Sequence, residues 1–362
     1  MLSLGIIGFG RMGRTRAQAI AESGKGKVVL VYDPAVPETG GLPRAGSVEQ
    51  VLTHPRLDAV CVCTPNHLNQ PLTCAALAAG KHVLCEKPPA FTAAEVEIVQ
   101  GLERASGRKL MYGFNHRHHA SIKAIKTLVD SGRYGRLLWM RGRYGKSVDQ
   151  DYFTTWRAKR ALAGGGILLD QGIHMLDLFL LLAGDFDETQ AMVSSLYWNL
   201  PGIEDNVFAN FRNRRSGVVA SLHSTMTQWR HLFSLEVFLE GGYLVLNGLK
   251  TQSGTYGEEV LSVARNRTRA PAATWDDEDR IGFSVDASWT EETNHFLDAI
   301  LLDRPVASGS STDALKVMRL VEAVYQAQRH EGSHLHECLS AGTAPAAPER
   351  TPRATAEPVP RA

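Results

Sequence analysis

The sequence predicts an α/β protein: a doubly wound parallel sheet, followed by a second α/β unit on a mostly antiparallel sheet. Three observations carry this. Short apolar runs alternate with helical patterns up to about residue 112. After about residue 120, strand-like runs follow one another with no long helical pattern between them. The chain has 362 residues, enough for about two domains at roughly 150 residues each.

The runs 4–9, 28–33, 59–64, 82–87 and 110–114 read as strands, and 11–23, 47–52, 69–79 and 93–106 as the helices between them. Strand, helix, strand repeated this way predicts parallel pairing with right-handed crossovers. These strands are apolar throughout, as when helices cover both faces of a sheet. Residues 167–182 then form one strongly apolar helix. The runs 190–199, 207–213, 217–226, 233–240 and 243–247 have strand character, with a tight hairpin expected at Gly241-Gly242. Two further helices are expected at 287–302 and 312–329. Residues 342–362 are rich in Ala, Pro, Thr, Glu and Arg, lack apolar periodicity and are expected to be disordered. The domain expectation is therefore 1–120, 121–335 and the tail.

Composition narrows the function classes. Hydrophobic residues make up 44% and charged residues 21%, as in globular proteins. Lys plus Arg number 39 against 38 for Asp plus Glu, so no basic excess favours nucleic acid. The longest apolar stretch, 167–183, is broken by Asp170, His174 and Asp177, and no transmembrane helix is expected. The N-terminus has no basic region before its glycine turn and does not read as a signal peptide. Five cysteines form no CxxC pair, and Cys61 and Cys63 alternate as buried strand residues do. A disulfide scaffold and a zinc ribbon are excluded, and a reducing cytoplasm is the expectation.

Gly8-Phe9-Gly10-Arg11-Met12-Gly13 is GxGxxG, placed between an apolar strand and a helix. That context is what a dinucleotide cradle requires. The first glycine permits the turn, the second admits a pyrophosphate to the backbone, and the third lets helix and strand pack closely. The helix N-terminus then holds the anion. Asp33 closes the second strand, where a carboxylate accepts hydrogen bonds from an adenosine ribose and repels a 2′-phosphate. Pro34-Ala35-Val36 offer no base to receive one, so NAD is expected over NADP.

Three more strings fall where loops leave the carboxyl ends of the strands, the side on which ligands bind. They are Thr64-Pro65-Asn66-His67, Glu86-Lys87-Pro88-Pro89 and residues 113–119, which include Asn115 and Arg117. A fourth, residues 164–178, contains Gly164-Gly165-Gly166, Asp170 and His174. With GxGxxG, TPN, EKP and DxxxH in this order, the sequence resembles the glucose–fructose oxidoreductase / inositol dehydrogenase (Gfo/Idh/MocA) family over about residues 2–330.

The resemblance implies a Rossmann domain and a second domain on an open, mostly antiparallel sheet. It implies NAD(P)-dependent hydride transfer to or from a carbinol carbon, usually of a sugar or cyclitol. Lys87 looks like the family's catalytic lysine, Asp170 and His174 like its carboxylate and histidine, and Asn66 and Glu86 like cofactor-loop contacts. The residue types suit this chemistry by themselves. A neutral His takes a hydroxyl proton, and a lysine stabilises the alkoxide. Asp170 and His174, four apart, share one helix face, with Asp177 behind to orient the imidazole. The triple glycine is expected to be a flexible approach that leaves room for substrate.

Asn115 and Arg117 are expected to touch cofactor or substrate. Arg157, after Trp156, is expected near the nicotinamide or an anionic substrate group, with a structural role for the pair left open. His116, His118 and His119 lack an accompanying ligand cluster, so no metal is expected. Glu204-Asp205-Asn206 reads equally as a substrate loop or a turn. The leading function is an NAD-dependent dehydrogenase of a sugar, nucleotide sugar or cyclitol. An NAD-retaining glycoside hydrolase and a non-catalytic nucleotide sensor are the alternatives. The run 233–240 is too apolar to face water on both sides, so a homodimer or homotetramer is expected.

Overall fold

The computed structural model describes residues 1–266 and 274–340, and side chains as far as 328. The tail expected to be disordered lies outside the described residues. The first sheet is parallel, in the order β2-β1-β3-β4-β5. Its strands are β1 (Leu2–Ile7), β2 (Gly26–Tyr32), β3 (Ala59–Val62), β4 (His82–Glu86) and β5 (Leu110–Gly113). The crossovers contain α1 (Arg11–Ser23), α2 (Val48–Leu52), α3 (Asn69–Ala78) and α4 (Ala93–Ser106). Strands β3 and β5 are buried at every residue, which is why they carry no polar alternation. The winding reverses direction between β1 and β3, and a crevice opens at their carboxyl ends.

After α5 (Ala120–Asp130) comes β6 (Leu137–Gly145), then α6 (Arg160–Ala163), a π turn at Leu168–Gly172 and α7 (Ile173–Ala183). Strands β7 (Glu188–Ser194), β8 (Asn206–Arg212), β9 (Val219–Thr225), β10 (Leu232–Leu239), β11 (Gly242–Asn247), β12 (Glu259–Arg265) and β13 (Asp279–Phe283) follow. The sheet runs β13-β12-β11-β10-β6-β9-β8-β7 and is antiparallel except between β6 and β9. Leu239 pairs with Gly242, so the expected hairpin turns on Glu240-Gly241. Sequence reading did not mark α5, β6, β12 or β13.

Helix α7 covers the inner face so closely that a Cβ on Gly142 of β6 would meet Met175 Cγ at 2.4 Å and Phe179 at 2.9 Å. The outer face carries Trp139 stacked on Phe238 at 4.0 Å and Phe208 stacked on His223 at 4.0 Å. The helical stretch Arg160–Ala183 is long and apolar enough to cross a membrane, and 72% of its apolar 18-residue window is buried inside the protein.

The expected boundary of one continuous second domain requires correction. Helix α8 (Ser288–Leu301) returns to the first sheet, where Phe296 and Leu297 share a core with Leu4 and Ile6. Lys25 Nζ donates to Asp298 at 2.7 Å across the same contact. The apolar face of α8 was legible, but its partner, β1 with α1, lies far away in sequence. Helix α9 (Ser311–Ser340) then packs on α4, α7 and β7 and joins the two halves.

Candidate active site

The turn after β1 has the shape its glycines require. Gly8 takes φ +88°, and a Cβ there would meet the Cys63 carbonyl oxygen at 2.4 Å. A Cβ on Gly13 would lie 2.2 Å from the Gly8 carbonyl oxygen, whereas one on Gly10 would meet nothing within 4 Å. The two outer glycines are forced by packing; the middle one faces open space, as a cradle for a pyrophosphate must. Arg11 and Met12 follow on the first turn of α1, Arg11 exposed. Phe9 is buried in the cradle floor, and the Arg14 guanidinium lies 5.4 Å from its ring centre.

Asp33 holds this turn together. Its Oδ2 accepts from the Phe9 amide at 2.7 Å, and Oδ1 accepts from Ala35 and Val36 at 2.8 and 3.1 Å. A carboxylate has about four acceptor positions, so capacity for ribose hydroxyls remains. The expectation that no base stands near is corrected: Arg44 Nη2 donates to the Asp33 carbonyl oxygen at 2.8 Å, brought there by the following loop. The cradle and its carboxylate fit a dinucleotide.

The loops after β3 and β4 interlock. Thr64 Oγ1 donates to Asn69 Oδ1 at 3.1 Å, and Asn69 Nδ2 donates to the carbonyls of Glu86 and Pro88 at 3.1 and 2.9 Å. Asn69 was missed in the sequence; it follows the TPN string by one helical turn and shapes the loop that presents Lys87. Pro65 leads into a 3-10 turn at Asn66–Leu68, in which His67 is half-buried and its Nδ1 has no protein partner among the described residues. Asn66 Nδ2 donates to the Ala163 carbonyl at 2.8 Å and ties this loop to the second domain. Glu86 is buried against Arg16, Nε to Oε1 2.8 Å.

Lys87, Asp170 and His174 come together where the two halves meet. Lys87 Nζ donates to the Asp170 carbonyl oxygen and lies 3.7 Å from Asp170 Oδ1. Asp170 Oδ2 accepts from Lys146 Nζ at 2.8 Å, and Arg157 Nε stands 3.6 Å from Oδ1. Burial pushes the Asp170 carboxyl up, but Lys146, Lys87 and Arg157 outweigh it and hold the acid well below its usual range. Burial lowers the Lys87 ammonium, with Asp170 opposing and Arg157 and Lys146 assisting. Burial and the Lys87 charge push His174 well below the ordinary histidine range. Its imidazole is therefore neutral near pH 7 and able to take a proton.

The surroundings differ from expectation. Asp177 does not orient His174; it accepts from Arg117 Nε and Nη2 at 2.7 and 2.6 Å. Arg117 also pairs with Asp313 at 3.1 Å, so its guanidinium is consumed in a buried bridge to α9 and not presented to substrate. Asn115 Nδ2 donates to Ser288 Oγ at 3.2 Å and its Oδ1 faces His116 Nδ1. The triple glycine is a tight crossing, not a flexible approach. Cβ atoms there would meet Phe91 at 2.3 Å, Tyr325 Oη at 2.4 Å and the Glu204 carbonyl at 2.0 Å. Glu204 carries that crossing, accepting from the Gly166 and Leu168 amides at 2.8 and 3.1 Å. Of the expected histidines, His119 meets Glu259 at 3.2 Å, and the described residues form no metal-binding group. Lys146 was missed because it follows β6, which the sequence did not reveal.

A glycine cradle and a lysine–carboxylate–histidine group on one edge of a parallel sheet are the equipment of a nicotinamide-dependent oxidoreductase. Residues 2–114 match the oxidoreductase family GFO/IDH/MocA, NAD-binding Rossmann fold, and residues 122–245 match the GFO/IDH/MocA C-terminal domain. The chain belongs to this family, and its first sheet is the NAD-binding domain.

Among curated relatives, 1,5-anhydro-D-fructose reductase of Ensifer adhaerens is 34% identical over 62% of this chain and 67% of that enzyme. Levoglucosan dehydrogenase of Pseudarthrobacter phenanthrenivorans is 29% identical over 54% of each, so the match spans about half of that enzyme. A solved levoglucosan dehydrogenase in complex with NADH and levoglucosan shares the fold. It has a TM-score of 0.79, is 23% identical, and covers 91% of this chain and 98% of that one.

Proposed function

We propose that the protein is an NAD-dependent dehydrogenase that oxidises a secondary hydroxyl of a sugar, nucleotide sugar or cyclitol. The observation that carries this reading is the convergence of Lys87, Asp170 and His174 beside the loop that follows β3. The nicotinamide, when bound, supplies the hydride acceptor. His174, enclosed and neutral, takes the hydroxyl proton. Lys87 donates to the oxygen as it becomes an alkoxide, and the Asp170 carbonyl and carboxylate fix the ammonium in place. Gly8, Gly10, Gly13 and Asp33 hold the dinucleotide on the far side of the crevice. The outer face of the second sheet, with Trp139, Phe208 and Met192 exposed, covers itself against a second copy of the chain.

The test is NADH formation with purified protein over a panel of sugars, nucleotide sugars and inositols. One NADH per oxidised product supports the dehydrogenase. Glycoside cleavage without net NADH would favour the cofactor-retaining hydrolase instead. A sensor needs the cradle alone, and the enclosed Lys87–Asp170–His174 group weighs for turnover.

A further inference from the structure

We propose that the substrate carries an anionic group, a carboxylate or a phosphate, that docks on Arg157 and Lys146 beside the reacting hydroxyl; this rests on the dehydrogenase reading above. Asp170 is one carboxylate facing three cations, with Lys146 at 2.8 Å, Arg157 at 3.6 Å and Lys87 at 3.7 Å. The neighbouring acids do not restore the balance. Glu86 is committed to Arg16, and Glu204 turns the other way to the Gly166 and Leu168 amides and the Tyr325 hydroxyl. Two positive charges are left in excess. The side chains of Lys87, Lys146 and Asp170 are 17%, 20% and 14% exposed and that of Arg157 38%, so water screens the excess poorly at the two lysines and reaches it at Arg157.

Arg157 supplies the receptor geometry. Its guanidinium lies over the Trp156 ring, 4.4 Å from the centre, and lines a recess with Asn66, Tyr152 and Asp170. Among the described residues, no protein acceptor lies within hydrogen-bond distance of that guanidinium. A planar fork placed over an indole, paired with Asp170 only at 3.6 Å, matches the two oxygens of a carboxylate or a phosphate. Lys146, anchored by Asp170, adds a point charge at the same place. Neutralising the excess also favours the ammonium form of Lys87, which Arg157 and Lys146 otherwise oppose.

The experiment compares matched substrates with the full chain and NAD: glucose against glucuronate, and glucose against glucose 6-phosphate. The anionic member of one pair is expected to have the higher kcat/KM, on the order of 10- to 100-fold, as one or two charge-assisted hydrogen bonds provide. The two pairs tell a carboxylate site from a phosphate site. Arg157→Gln should lower kcat/KM for the anion more than for glucose and shrink the ratio to about threefold or less; Arg157→Lys should recover part of it. Calorimetric titration of the same ligands into the NADH-loaded protein provides a reading that needs no turnover. If no sugar is oxidised, the dehydrogenase reading fails while titration still decides the anion site. Equal or tighter binding of glucose, or equal or faster turnover of it, in both pairs overturns the inference.

Discussion

The imidazole of His116 lies flat on that of His174, with centroids 3.9 Å apart and planes inclined by 19°. His116 is fixed from its other side, with Nε2 2.8 Å from the Tyr144 hydroxyl. Two stacked rings in so enclosed a place cannot both carry charge. Burial and the neighbouring charges hold both well below the ordinary histidine range.

The pH dependence of catalysis follows from that stack. A depressed pKa keeps the proton-accepting form of His174 populated at lower pH, so kcat/KM should stay flat from neutrality downwards and fall only below about 6.5. His174→Ala should remove this acidic limb and lower kcat by about 10² to 10⁴, with NADH affinity by fluorescence nearly unchanged. An unaltered pH profile in the variant would move the base elsewhere.

Lys87 and Asp170 predict the opposite limb. Asp170 raises the Lys87 pKa against burial, so Asp170→Asn should let it drop further and shift the alkaline limb of kcat/KM to lower pH. Lys87→Met should lower kcat by about 10² or more through the lost alkoxide donor. Stopped-flow rates of hydride transfer check both; an alkaline limb that does not move in Asp170→Asn would refute the coupling.

Cofactor choice is set at the end of β2. Wild type should prefer NAD because the Asp33 carboxylate repels a 2′-phosphate. Asp33→Ser alone should shift the kcat/KM ratio towards NADP, since Arg44 already stands at that strand end. The same change removes acceptors for the Phe9, Ala35 and Val36 amides and should lower Tm. Unchanged discrimination in the variant would mean that Arg44 cannot reach the phosphate.

The contact between α1 and α8 predicts a stability change with pH. Arg16 is buried between Glu86 at 2.7 Å and Glu292 at 2.5 Å. Burial pushes Glu292 up to about 7, with Arg16 opposing and Glu86 assisting. A raised carboxyl stabilises fully below its unfolded pKa near 4.5, and that contribution is lost as pH rises through about 7. Glu292→Gln, which imitates the protonated acid, should gain stability relative to wild type over this window, by about 1–3 kcal/mol. Arg16→Met should cost about 3–5 kcal/mol by stranding both acids. Chemical denaturation at pH 5 and pH 8 is the measurement.

Assembly is testable at the outer face of the second sheet. Light scattering should give a dimer or tetramer, and Trp139→Lys with Phe208→Lys should dissociate it while NADH binding persists. A wild-type monomer at micromolar concentration would contradict the proposal.

Legibility followed sequence distance. The GxGxxG turn could be read because its three glycines stand together between a strand and a helix, although the backbone that Gly8 must clear, at Cys63, lies after β3. Strand β6 could not: its outward residues Trp139, Arg141 and Arg143 mix apolar and cationic side chains, which blurs the alternation. Lys87, Asp170 and His174 were named from their motifs, but Lys146 joins them only because β6 ends there. Arg117 shows the limit most clearly. A basic residue in a histidine-rich loop invites a ligand role, and only the fold reveals that Asp177, 60 positions later, takes both of its prongs.

The π turn at Leu168–Gly172 sets the aim of the whole group. A regular helix advances about 100° per residue, and a π turn inserts one residue beyond that count. Asp170 sits inside the widened turn, whereas His174 belongs to the regular helix beyond it. Removing Gln171 or Gly172 would therefore swing the carboxylate through roughly a quarter of a circle, away from both lysines, with α7 still seated in its core. Packing and reactivity occupy successive turns of one rod, and the carboxylate can be re-aimed by a length change without disturbing the residues that keep that rod buried.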